Sequence, residues 1–226
     1  AEAKRMAIPI LPPNINTCGH DFVVDGDAVR FGLSAVKGVG DSAIVAIVAA
    51  REEVGQFTDL YHFCEFADLH SVNRGAIEAL IKCGGFDALG GNRAAMVAAV
   101  DKAIDLGNQA EKDRKSGQMS FFGDGGMLGG SEDGEDVRPS FPAVQPWSEG
   151  ELLQAEKETL GFFVSSHPLV KYAQIVNYLN WPPKADFGMF TREPERYPQD
   201  TQIRIGCMIA AMRPVVTKAK GEKMAM

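Results

Sequence analysis

The sequence predicts a mainly α-helical chain with short strands towards its end, and three observations predict it. A helix, a glycine break and a second helix occur twice in the first half. A run rich in Gly, Ser, Asp, Glu and Pro follows, and the tail alternates β-branched residues. With 226 residues, 45% of them hydrophobic, there is apolar material for one large core or two small ones.

Residues 1–22 contain IPILPPNIN, whose prolines and asparagines predict an extended, turning connector. FVVDGDAVRFG alternates apolar residues around Asp25-Gly26-Asp27 and predicts a short β-hairpin. Over residues 33–51 the pattern turns helical: a short apolar segment, the Gly38-Val39-Gly40 break, an Asp41-Ser42 start signal and a long apolar helix. FTDLYHFCEFADL continues the theme. The second copy has a helix over 76–83, a break at Gly84-Gly85 and a helix over 93–106, so the repeated unit spans 23–107.

Periodicity stops after Gly107, and 108–146 has the composition of an unfolded linker, interrupted by the apolar cluster Gln118-Met119-Ser120-Phe121-Phe122. Order returns at Pro146-Trp147-Ser148, where Ser148 is a good N-cap and Glu151 stands at the capping-box position of ELLQAEKETLGFFV. A second short helix is expected over 169–179, making 147–198 a helical connector. Pro182, Pro183 and REPERYPQD mark a boundary. Residues 199–226 then predict two or three strands around a K-A-K-G turn, too few for an independent sheet and therefore the start of a truncated β domain.

A net charge of -7 and a pI near 5.2 exclude a protein that coats nucleic acid through bulk charge, so any such contact must be local. The cysteines at 18, 64, 83 and 207 form no C-x-x-C pair and have no histidine at zinc-ligand spacing, which predicts free thiols and no metal site. No segment reaches the roughly 20 apolar residues of a membrane span. The start AEAKRMAIPILPP carries no signal peptide, and with the GEKMAM end it reads as a stretch of a longer, cytoplasmic protein.

Chemistry concentrates at Lys37, Gly38, Val39, Gly40, Asp41 and Ser42, where a glycine-rich turn delivers the chain into a helix N-terminus. Exposed N–H groups and the helix dipole suit a phosphate oxygen, and Lys37 adds a positive charge. Such a site reads no base edges, so binding would be sequence-independent and salt-sensitive. The plainer alternative is a tight turn without a ligand; the apolar flanks, Leu33 and Val36 before it and Ile44, Ile47 and Val48 after it, favour the binding reading. The second turn, Cys83-Gly84-Gly85-Phe86-Asp87, puts an aromatic and an acid where an open cradle is wanted and predicts packing, with Asn92 and Arg93 left as phosphate contacts.

An apolar patch in an acidic, glycine-rich tether has the form of a docking peptide, Gln118 at the rim and Met119, Phe121 and Phe122 in a partner's groove. Folding back onto the chain's own helices is the alternative, and five residues alone do not decide between them.

The blocks LPPNIN, VVDGDAVRFGLSAVKGVG, FTDLYHFCEFADL, IEALIKCGGFDALGGNRAAM, QMSFFG, PWSEGELLQAEKETLGFFVSSHPL and IRIGCMIAAMRPVVTKAKG, in that order, closely resemble the C-terminal half of the bacterial DNA polymerase III alpha subunits, the replicative C-family polymerases. The resemblance covers essentially the whole chain. It implies the end of a fingers region over 1–22, a tandem helix-hairpin-helix domain gripping duplex DNA over 23–107, and a sliding-clamp-binding peptide at Gln118-Met119-Ser120-Phe121-Phe122. The helical connector over 147–198 and the start of an OB-fold over 199–226 complete it. It implies as partners duplex DNA, the clamp (beta subunit) and other replicase subunits, with no membrane.

The family's metal-binding aspartates lie upstream of these blocks, so the resemblance implies Mg2+ for the parent polymerase and no catalytic residue, cofactor or metal here. The acids within 132–136 read as a solvated tether. Alternatives are an error-prone C-family polymerase, expected to lack the clamp motif, a DNA-binding module of a repair nuclease or helicase subunit, and a scaffold that touches no nucleic acid.

Overall fold

The computed structural model describes residues 3, 6–116, 138–180, 195, 202, 204–209, 214–216 and 223–225. Near its start, β1 (Ile10–Leu11) pairs in parallel with β3 (Ala28–Arg30), and β2 (Val23–Asp25) closes on β3 as an antiparallel hairpin across Gly26-Asp27. Arg30 fastens the three strands, reaching the Asp25 carboxylate at 2.6 Å and the Pro12 carbonyl at 3.2 Å. The hairpin is the one the alternation predicts. The parallel partner is an addition, drawn from the segment expected to be a connector.

That connector also enters the core. Ile15 and Cys18 are fully buried, the Ile15 N–H donates to the Gly85 carbonyl at 2.9 Å, and the Asn16 amide exchanges two hydrogen bonds with the Phe57 backbone. A 3-10 turn (Leu33–Ala35) leads to α1 (Asp41–Val54), which buries Ala43, Ile44, Ile47 and Ala50, an i, i+1, i+4, i+7 stripe. α2 (Leu60–Phe66) is capped by Asp59, and α3 (Arg74–Lys82) by Asn73, whose side chains accept from the His62 and Ala76 N–H groups. Phe57, Phe63 and Phe86 meet edge-to-face at centroid distances of 5.0 Å at the centre of this core.

The fourth helix is longer than its apolar pattern. α4 (Arg93–Ser116) continues past Gly107 on polar residues, supported by the Gln109–Asp113 and Glu111–Lys115 pairs one turn apart. Gly107 lies against α2, where a Cβ would stand 2.1 Å from the Cys64 carbonyl oxygen. Further along the chain, Arg138 pairs with Asp59 at 2.7 Å and Phe141 stacks on Tyr61 at 5.5 Å, so these two residues of the expected linker pack on α2. The apolar cluster at 118–122 lies outside the described residues.

α5 (Glu149–Leu160) starts on the predicted capping box of Ser148 and Glu151. It buries Leu153, Ala155, Glu156, Thr159 and Leu160, with Leu160 in the main core, and so belongs to the same compact unit, Ala1–Ser166. The second unit, His167–Met226, contains a 3-10 turn (Val170–Tyr172) running into α6 (Ala173–Leu179), where one helix is expected. It also contains the antiparallel pair β4 (Pro214–Val216) and β5 (Lys223–Ala225). Among the described residues no helix is long and apolar enough to cross a membrane.

Candidate nucleic-acid interface

The turn before α1 is built from inside out. Val36 and Val39 point into the core at 2% and 8% exposure, and the Val39 N–H donates to the Val36 carbonyl at 3.1 Å. Lys37, Gly38, Gly40, Asp41 and Ser42 are left exposed around them. Gly38 has φ +90°, a conformation only glycine adopts cheaply, and this reverses the chain so that Gly40 can enter the helix. Gly40 is the N-cap and has no side chain to cap with; the first helical bond runs from the Ile44 N–H to the Gly40 carbonyl. The Asp41, Ser42 and Ala43 N–H groups therefore precede the helical ladder, the arrangement that favours an anion.

Charge at this rim is mixed. No ion pair among the described residues involves Lys37. The Asp41 carboxylate, which opposes a phosphate, is met by His20 Nε2 at 3.2 Å, while His20 Nδ1 lies 2.8 Å from Asp21. The hydrogen bond to Asp21, then that to Asp41, raises the imidazole pKa above its ordinary value of 6.5. A protonated His20 offsets part of the acidic charge beside the turn.

The second turn is filled by the protein's own side chains. Gly84 and Gly85 are buried, and Phe86 is wholly inside the core. Asn92 caps α4, its Oδ1 accepting from the Ala95 N–H at 2.7 Å. Arg93, expected as a phosphate contact, is 9% exposed. Its guanidinium forks onto Asp87 at 2.9 and 2.6 Å and also donates to the Lys82 carbonyl and to Glu156. Burial pulls its pKa down, but Asp87 and Glu156 outweigh that and leave it raised. These intramolecular bonds occupy the donors a phosphate would need, and Arg93 leaves the set of surface candidates.

Three participants are missed by reasoning from the sequence. His20 stands beside Asp41, the Thr159 carbonyl accepts the Lys37 N–H at 2.8 Å, and Glu156 is fully buried against Arg93. For Glu156 a signal does exist: with Leu153 and Leu160 it stands at i, i+3 and i+7, on the apolar stripe of α5. Burial lifts the Cys64 and Cys83 thiols to about 12, which makes them inert core residues. Among the described residues no group of three or more His, Cys, Asp or Glu side chains could hold a metal ion.

The helix-hairpin-helix motif family matches residues 7–96, the stretch that contains both turns. DNA polymerase III subunit alpha of Vibrio cholerae is 40% identical over 219 residues, covering 96% of this chain and 18% of that protein. The chain is a homologue of the DNA polymerase III alpha subunits. The subunit of Escherichia coli K12 is 34% identical over the same share of the chain, and that of Pasteurella multocida is 41% identical over 173 residues, 76% of this chain and 14% of its own length. This homologue spans less than a fifth of the length of those alpha subunits.

Proposed function

We propose that this chain is the part of a replicative DNA polymerase III alpha subunit that holds duplex DNA by its backbone and ties the enzyme to the sliding clamp. The observation that carries the DNA half is the exposed, glycine-capped N-terminus of α1 with Lys37 beside it. Lys37, Gly38, Gly40, Asp41 and Ser42 present that surface and Val39 holds it from inside, while Asn92 serves as the cap of α4. With a net charge of -7 the grip is local and weak, and residence on DNA comes from the clamp. Docking on the clamp (beta subunit) rests on Gln118-Met119-Ser120-Phe121-Phe122, and the barrel begun by 199–226 is an OB-fold. Polymerisation with Mg2+ and contacts to other replicase subunits belong to the rest of the parent chain, in the cytoplasm.

Anisotropy of labelled duplexes at several salt concentrations tests the DNA half. Lys37→Glu should weaken binding about equally for every sequence and make the salt slope shallower by about one. A loss confined to some sequences would show that bases are being read and sink the backbone reading. Titration against purified clamp tests the other half: Phe121→Ala with Phe122→Ala should abolish clamp binding and leave duplex affinity as it was. Unchanged clamp affinity would remove the docking role.

A further inference from the structure

We infer that α5 positions the open turn, and that the buried Arg93–Glu156 pair holds α5 in place to do so; this rests on reading Lys37 to Ser42 as the DNA-contacting turn. A wholly buried carboxylate is tolerated only where donors surround it. Glu156 has them: Oε2 accepts from the Val164 and Ser165 N–H groups at 2.9 and 3.0 Å, and Oε1 from the Ser165 hydroxyl and from Arg93 at 3.4 Å. The pair thus fastens both the middle of α5 and the segment after it to the closed turn.

About one turn further along α5 lies the open turn. The Thr159 carbonyl, otherwise one of the free acceptors of a helix end, takes the Lys37 N–H at 2.8 Å. The Lys37 side chain passes Gly161, where a Cβ would stand 3.6 Å from Nζ. The ammonium is therefore placed near the C-terminal end of α5, where the helix dipole favours a cation. By contrast, the Val39 N–H bonds to Val36 within the turn itself. A continuous path runs from Asp87 through Arg93, Glu156 and Thr159 to Lys37 and joins the two turns. Arg93 and Glu156 are positioning residues, acting on the turn through α5.

Amide hydrogen exchange in the full chain separates this role from general stability. Glu156→Gln keeps the side chain's size and removes the charge facing Arg93. The Lys37 amide should then exchange about tenfold faster while the Val39 amide holds its rate, and duplex affinity should fall about threefold. Equal acceleration at both amides, or none at Lys37, overturns the inference. If the Gln variant does not fold, Ser165→Ala removes a single donor to Glu156 and is read the same way, with a smaller acceleration at Lys37 and none at Val39. A wild-type chain that fails to bind duplex would sink the DNA reading, and the exchange rates would still decide whether α5 holds the turn.

Discussion

At Gly38 and at Gly84 the backbone takes nearly the same left-handed conformation, φ +90° and +89°. Yet the nearest atom to an added Cβ is 4.0 Å away at the first, and at the second an Arg93 nitrogen stands at 2.5 Å. The first turn is followed by a bare glycine cap, the second by an asparagine cap and an arginine folded back inside. A glycine break between helices therefore does not define a ligand site. What defines one is whether the chain's own side chains already occupy the donors and the space.

The contrast can be broken most severely at Arg93. Arg93→Ala leaves Glu156 buried without its cation, and the loss should be roughly 3 kcal/mol, seen as a lower denaturant midpoint. A change below about 1 kcal/mol would mean that the pair does not hold the closed turn. Substitutions at the two glycines have smaller effects. Gly38→Ala should cost about 1–2 kcal/mol from the backbone alone, and Gly84→Ala more, because the methyl also displaces the guanidinium. Equal losses would show that Arg93 moves aside freely.

The smallest effect concerns His20, whose imidazole should titrate above 6.5 when followed by NMR. Its folded pKa is raised, so the contribution of its contacts to Asp21 and Asp41 is complete below the unfolded value and is lost as pH rises through the folded one. Asp21→Asn should lower that pKa more than Asp41→Asn. The reverse order would place His20 on the helix terminus first.

Much of the first unit is legible in the sequence because local chemistry dictates it: Asp41-Ser42 starts α1, Asp25-Gly26 turns the hairpin, and Ser148 with Glu151 caps α5. The exposed turn is legible for the same reason, since Gly38 and Gly40 mark the reversal and the bare cap locally, whereas its support by Thr159 of α5 leaves no local mark. What stays hidden depends on distant partners. β1 is two residues in a proline-flanked run, and only β3 makes it a strand. The end of α4 is mostly polar and persists on side-chain pairs one turn apart, and Phe141 looks like a linker residue until it meets Tyr61. Arg93 and Glu156 are polar by type and buried by context, which is why a charge in the second motif suggests a phosphate contact and proves to be an internal brace.

The brace also has a consequence for synthesis. Arg93 and Glu156 are 63 residues apart, and Lys37 and Thr159 lie still further apart, so the brace cannot form from local contacts, the kind that fold fastest. On the ribosome both turns emerge before α5 exists, and at about 5–20 residues per second Arg93 waits several seconds for its carboxylate. During that interval the nascent unit lacks Thr159 as well, so the Lys37 turn reaches its final shape only after translation has passed well beyond it.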